Sequence, residues 1–410
     1  MRILFFTDNF PPETNAIANR VFERARYWVR WGHAVTVITS APNFPQGKLY
    51  VGYANRWYEE EVMEGVRVIR IKTFITPNEG IVLRTFDFLS YILPAFLAGL
   101  FVQRPDMVAA TSPQFFVGVT AWFVARCRRL PFVLEIADLW PASIVAVGAM
   151  RRNVLIRLLE RLELFLYHRA TAIVALTQSF KDDMVRRGIV SEKISVIING
   201  VELAEYAPRE RDTALARKWE LGDRFIIGYI GTHGAAHGLH NVLATAELLR
   251  HEKNILFLLV GAGAEREQLL HAAKKQSLLN VLFIPPQPKH TMPSWWSLCN
   301  VALIHLKDDP VFATVIPSKM FEAMAMGLPL LVVAPRGEAS QIVEKERTGM
   351  WVRAGDPEAF ADTVLQLYRG KNLLRTFAQQ SRVAVLTYSR ERQARDFSFV
   401  LTDLYERYQH

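Results

Sequence analysis

Residues 312–330, Phe-Ala-Thr-Val-Ile-Pro-Ser-Lys-Met-Phe-Glu-Ala-Met-Ala-Met-Gly-Leu-Pro-Leu, carry an ammonium and a carboxylate at a spacing that suits a nucleotide. Pro317 can open a helix, where its missing N–H costs nothing, and Met320 to Met326 are good helix formers. Gly327 ends that helix, and Leu330 to Val333 reads as a buried strand. Lys319 and Glu322 are three apart and share one face of the first turns. Free amides around Ser318, with the Lys319 ammonium, attract phosphate. A carboxylate one turn further in can accept hydrogen bonds from a sugar diol, and diphosphate with ribose means a nucleotide. The plainer reading is an amphipathic helix with a surface ion pair.

Four other loops hold candidate chemistry, because ligands of doubly wound sheets sit at the carboxyl ends of strands. Asp8 to Arg20 contains Pro11-Pro12, after which Thr14 or Asn15 can cap the next helix, its amides facing a diphosphate or an acceptor. In Glu135-Ile-Ala-Asp138-Leu-Trp-Pro141, Asp138 follows a strand directly and is placed to orient an acceptor hydroxyl, or simply to cap a helix. Gly231-Thr-His-Gly-Ala-Ala-His-Gly-Leu-His240 is a glycine-rich turn feeding a helix, a phosphate-binding shape. His233, His237 and His240 have metal-like spacing there, but Gly234 and Gly238 argue against one continuous helix. Gly261-Ala-Gly263 follows a strand without a third glycine and would let a ligand approach the backbone. No Asp-x-Asp, no Gly-x-Ser-x-Gly and no P-loop occurs, so neither a metal nor a cofactor is expected.

These loops need a scaffold of alternating strands and helices. Apolar strands are expected at Ile3–Thr7, Ala34–Thr39, Met107–Thr111, Phe132–Ile136, Thr171–Leu176 and Ile194–Ile198. A second series runs Phe225–Ile230, Ile255–Val260, Val281–Ile284, Val301–Ile304 and Leu330–Val333. Such alternation means α/β architecture with parallel sheets covered on both faces. The expected division is a domain over 1–200, a polar linker over 201–223 and a domain over 224–389, followed by a C-terminal helix 390–409.

At 410 residues the chain is too long for one ordinary core. Cys127 and Cys299 supply no disulfide framework and are expected to be buried thiols, which fits a reducing cytoplasm. The net charge of +9 suits nucleic acid, anionic lipid or phosphorylated substrates. No nucleic-acid module is recognisable and aromatics are not interleaved with the basic residues, which leaves lipid and diphosphates. Phe86 to Val102 is the most apolar stretch, bracketed by Arg84 and Arg104. Asp87, Pro94 and Gly99 argue against a membrane span, so a buried helix or a surface dipping into a bilayer remains.

The Glu322-Ala-Met-Ala-Met-Gly-Leu-Pro run resembles the donor-nucleotide segment of family 4 retaining glycosyltransferases, and the resemblance extends over essentially the whole chain. It implies the GT-B fold, two Rossmann-like domains facing across a cleft with helix 390–409 packing back on the first, and assigns the donor ribose to Glu322. Pro-Ser-Lys before that helix and Asp138-Leu-Trp-Pro141 resemble the N-acetyl-L-fucosamine transferase branch of bacterial surface-polysaccharide biosynthesis. The family has a glutamate where Thr314 stands and Gly-Gly where Thr14-Asn15 stand, the latter departure shared with that branch, and the branch has a Glu where Ala142 stands. An Arg and a Lys that neutralise the diphosphate are replaced by Thr232 or His233 and by His237, leaving Lys319 as the main fixed cation unless the imidazoles are protonated. Pro285 to Pro288, including Pro286 and Gln287, matches the segment that holds the base.

By that resemblance the reaction is metal-independent, retaining transfer of an amino or deoxy-amino sugar from a UDP-sugar. The acceptor would be a polyprenyl diphosphate-linked sugar at the cytoplasmic membrane surface, in O-antigen or capsule assembly. Lys319, the amides near Ser318 and the Gly231–Gly238 loop would stabilise the leaving diphosphate, while Asp138 orients the acceptor. Two rivals are a UDP-sugar epimerase of the same architecture and a non-catalytic nucleotide-sugar-binding component.

Overall fold

The computed structural model describes residues 1–409 apart from 45, 77–80, 113, 147, 149 and 151. The strands are β1 (Arg2–Phe6), β2 (Ala34–Ser40), β3 (Tyr58–Met63), β4 (Val66–Ile71), β5 (Met107–Thr111), β6 (Phe132–Ile136), β7 (Ala172–Ala175) and β8 (Ile194–Val196). A second set comprises β9 (Phe225–Ile230), β10 (Ile255–Val260), β11 (Val281–Ile284), β12 (Val301–His305), β13 (Leu330–Val333) and β14 (Gly349–Val352). The first set forms one sheet in the order β3-β4-β2-β1-β5-β6-β7-β8, and the second forms another in the order β11-β10-β9-β12-β13-β14. Every pairing is parallel except β3 with β4.

Uniform burial explains why most strands read as continuous apolar runs. All six residues of β9 and of β10 are buried, as a sheet covered on both faces requires. The antiparallel β3–β4 pair and the edge strand β14 were not expected. β3, Tyr-Glu-Glu-Glu-Val-Met, is a half-exposed edge whose Glu60 and Glu61 pair with Arg67 and Arg70 of β4, so charge masks the alternation.

The chain divides into two compact units, Met1–Asn199 with Arg390–His410, and Gly200–Ser389. Helix Arg390–Gln409 belongs to the first unit. Phe397 and Leu401 are fully buried, the Trp28 indole donates to Ala394 O at 2.9 Å, and Arg390 pairs with Glu23 at 2.7 Å. The 201–223 stretch is no solvated linker. Leu221 and Tyr206 are buried, Thr213–Lys218 is helical, and Glu205 pairs with Lys289, because apolar residues punctuate its charges. Cys299 is buried, but Cys127 is exposed, since the outer face of helix Phe115–Arg128 has nothing packed over it at that position.

Candidate functional site

In the second sheet β9 and β12 are neighbours, and the chain leaves them in opposite directions, toward β10 and β13. Ligands of open parallel sheets bind at the carboxyl ends of strands beside such a reversal. The segments emerging there are 231–240 after β9 and the run that leads from β12 to helix Lys319–Ala325.

Tyr229, fully buried near the end of β9, is the floor of this site. Lys319 Nζ stands 3.7 Å above its ring, and the rings of His233 and His237 each lie 5.9 Å from it. The Tyr229 hydroxyl donates to Thr232 O at 2.7 Å, which fixes the turn after β9. Lys319 Nζ is buried and has no hydrogen-bond partner among the described residues. Burial brings its pKa down to about 7, opposed in part by the nearby Glu322 carboxylate. Glu322 is itself oriented by Trp296, whose indole Nε1 donates to Oε2 at 3.4 Å.

Two glycines let the backbone close around the ammonium. A Cβ on Gly231 (φ 147°) would lie 2.6 Å from Lys319 Nζ, and one on Gly261 (φ 148°) would lie 1.9 Å from Gly231 O. The turn at Gly263 is laced to the His233 turn: His233 N donates to Ala262 O at 2.8 Å, and Glu265 N donates to His233 O at 3.0 Å. Phe283, at the end of β11, meets the His233 ring edge-on at 6.1 Å, so the Pro286–Gln287 segment leaves on this side of the sheet. Gln287 Nε2 donates to Pro285 O at 3.0 Å, a local turn bond.

The histidines of this turn are deeply placed. His233 is fully buried with both ring nitrogens unpartnered among the described residues, and burial, then Lys319 and Arg266, hold its pKa down to about 4. His237 Nδ1 donates to His305 O at 3.3 Å, while His305 Nδ1 donates to His237 O at 2.6 Å and Asn241 Nδ2 donates to His305 Nε2 at 3.1 Å. Burial, then Lys319, keeps the pKa of His237 well below normal, against the bond to His305 O, which favours the charged ring. Neither imidazole is therefore a cation at neutral pH in the unliganded site, which leaves Lys319 as the fixed cation beside this turn. His240 opens helix His240–Leu248 at the surface. Among the described residues no group of three His, Cys, Asp or Glu is arranged to hold a metal.

The helix start is also less open than its sequence suggests. Met320 N donates to Pro317 O and Phe321 N to Ser318 O, both at 3.0 Å, so two first-turn amides are already occupied. Ser318 makes no side-chain cap. Thr314 donates its hydroxyl to Val311 O at 2.7 Å, closing a short 3₁₀ turn.

The remaining candidates belong to the first unit. Asn15 caps helix Ala16–Arg30, its Oδ1 accepting from Ile17 N and Ala18 N at 3.1 and 3.0 Å, and Thr14 O accepts from Asn19 Nδ2. Asp138 is held by the Ser143 hydroxyl and the Leu139 amide, and burial raises its pKa. With Ser112 and Trp140 it lines a cavity of about 20 Å³, room for one water molecule. Tyr229, Trp296 and Arg266 escaped the sequence reading. The one available signal was the single hydroxyl-bearing side chain in the apolar Phe-Ile-Ile-Gly-Tyr-Ile strand.

Residues 15–200 match the model of the glycosyl transferase 4-like domain, and residues 212–384 match that of glycosyl transferases group 1. The chain is 26% identical over 345 residues to a putative colanic acid biosynthesis glycosyl transferase, WcaI, of Escherichia coli K12, covering 82% of this chain and 83% of that protein. Its structure is similar to sucrose-phosphate synthase of Thermosynechococcus elongatus, with a TM-score of 0.79 at 17% identity, covering 99% of both chains. It is also similar to Anabaena HepE in complex with UDP-glucose, with a TM-score of 0.73 at 15% identity, covering 98% of this chain and all of that one. Two parallel-sheet units matched in order by these two domains make the chain a member of the group 1 glycosyltransferases of GT-B type.

Proposed function

We propose that this glycosyltransferase moves an amino or deoxy-amino sugar, N-acetyl-L-fucosamine in the first instance, from a UDP-sugar to a polyprenyl diphosphate-linked sugar. The setting is bacterial surface-polysaccharide assembly, O-antigen or capsule, with retention and without metal. The observation that carries the nucleotide-sugar reading is the Lys319 ammonium, buried and unpartnered beside Glu322 at the reversal of the second sheet. A buried ammonium without a partner is costly unless a ligand completes it. A diphosphate does so, and Glu322 then suits the ribose hydroxyls. The named relative in colanic acid biosynthesis and the UDP-glucose complex of HepE support the same reading.

In this mechanism the bond from the anomeric carbon to the diphosphate oxygen breaks as the acceptor hydroxyl attacks the same face. Lys319 stabilises charge growing on the leaving phosphate, and a phosphate oxygen takes the acceptor proton, so no strong protein base is needed. Asp138 orients the acceptor. Titration of wild type and Lys319→Ala with UDP, GDP and dTDP, without added metal, tests the donor. Selective UDP binding weakened at least tenfold in the variant is expected, and no binding by wild type would sink the reading. Mass spectrometry of products then separates transfer from epimerisation and from binding alone.

The lipid acceptor is supported by the outer face of the first unit. Helix Ile81–Phe101 exposes Phe86, Leu89, Leu93, Leu97 and Phe101, and only 22% of its apolar window is buried. It packs on Phe115–Arg128, which packs on Val154–Arg169, and those helices expose Phe123, Val154, Leu155 and Leu158. Arg104, Arg126, Arg129, Arg157 and Arg161, within these helices or just beyond their ends, are exposed as well. Apolar side chains accompanied by arginine suit the headgroup region of an anionic bilayer. Flotation with phosphatidylglycerol vesicles should carry the wild type up. Leu93→Asp with Leu97→Asp should leave it behind, and a wild type that stays down would refute the membrane surface.

A further inference from the structure

Lys319 alone is a poor match for a diphosphate. It carries one charge, Glu322 offsets part of it, and the imidazoles that stand where the family has basic residues are neutral. Glu265 adds a carboxylate oxygen that is buried and unpartnered in the adjoining turn, which makes the shortage worse. The donor site therefore needs a second cation from elsewhere in the unit.

We propose that Arg266 is that cation, so that a donor diphosphate lies over the Gly231–His233 turn between Lys319 and Arg266. Arg266 Nε donates to Gly261 O at 3.2 Å, which anchors the guanidinium on the loop that touches Gly231. A Cβ on Gly261 would come within 1.9 Å of Gly231 O and 3.4 Å of His233 Nε2, while Gly231 presses on Lys319 from the other side. The two cations thus flank one backbone turn, and both are close enough to His233 to suppress its protonation. Arg266 is only weakly paired where it stands. Its acidic neighbour Glu267 lies 3.4 Å away with a side chain 88% exposed, whereas that of Arg266 is 18% exposed. With Nε braced on Gly261 O and Nη1 within 3.4 Å of Glu267 Oε1, the planar guanidinium keeps Nη2 for phosphate oxygens. The arrangement relocates the positive charge missing from the turn after β9 to the turn after β10.

This inference rests on the nucleotide-sugar reading, and calorimetry with UDP, UMP and uridine separates the two. Arg266→Gln keeps an amide that can still donate to Gly261 O but removes the charge. It should weaken UDP at least tenfold and UMP less, and leave uridine unchanged, while Arg266→Lys recovers part of the loss. Salt dependence of UDP binding should also flatten in the Gln variant. UDP affinity within twofold of wild type in Arg266→Gln, alongside a loss in Lys319→Ala, would overturn the assignment and leave the donor reading intact. Equal losses for UDP and uridine would overturn it too, making Arg266 a brace for the loop. A wild type that binds none of the three would end both readings.

Discussion

Each unit buries charge near the carboxyl end of its sheet, and the two do so differently. In the first, Glu135 on β6 is fully buried between Arg24, at 2.6 and 3.1 Å, and Arg20, at 3.5 Å. The arginines hold its pKa at about 2 despite burial, and Arg24 also lies 4.1 Å over the Phe397 ring. In the second, Lys319 is buried over Tyr229 with no hydrogen-bond partner among the described residues, beside a His233 whose ring nitrogens have none there either. A buried carboxylate matched inside the protein is part of the structure. A buried ammonium left unmatched marks where something else must bind. The contrast separates Glu135 from Asp138, three residues on, although both follow from one sequence motif.

The most severe test of the contrast is Glu135→Gln, which leaves two buried guanidinium groups without their anion. It should cost on the order of 3–5 kcal/mol of stability, read by thermal or denaturant unfolding. A change under about 1 kcal/mol would mean that the pair is not structural. Lys319→Ala should do the reverse: transfer falls about a hundredfold to a thousandfold, with stability unchanged or raised, because an unpaired buried charge is removed. Comparable loss of stability in both variants would erase the distinction between the two regions.

A smaller effect is expected from Gly261→Ala, whose methyl would strike Gly231 O. It should cost roughly 1–3 kcal/mol and weaken UDP binding, as judged by melting with and without UDP. The mildest test is pH. With Lys319 near pKa 7, the protonated form that binds diphosphate is lost as pH rises. UDP affinity should therefore fall from pH 7.5 to 9 by up to about tenfold per unit, with proton uptake on binding at pH 8. Flat affinity over that range would place the ammonium's pKa well above 9 in the free protein. Stability shows the opposite dependence. The pKa values of His233, His237 and His305 are all depressed in the folded protein, so the unfolded chain binds more protons below its ordinary histidine value. Stability should accordingly fall as pH drops from 6.5 toward 4.

Much of the scaffold was legible because burial on both faces leaves a plain apolar run. β9, β10, β11 and β13 begin and end where their runs do, and β12 is one residue longer than read. β3 and β14 were hidden because an edge strand is free to carry charge or to break alternation. Lys319, Glu322, Gly231 and Gly261 were legible as candidates because residue type and local spacing nominate them. Trp296, which orients Glu322 from 26 residues away, had no local signature at all.

By itself the sequence determined two α/β units, their strand series, the motif that marks the donor candidate, and the family resemblance later matched over both units. These follow from short-range rules: apolar runs, glycine at sharp turns, and a Lys and Glu on one helical face. Only the tertiary structure decided the protonation of the site. Whether an imidazole or an ammonium keeps its charge depends on how deeply the fold buries it and which distant groups face it. His237 is neutral because the fold buries it near Lys319, Lys319 is perturbed because it is itself buried, and Arg266 is anchored because Gly261 O accepts from its Nε. Burial and cross-strand contact are set by the packing of elements far apart in the chain, and no local pattern encodes them.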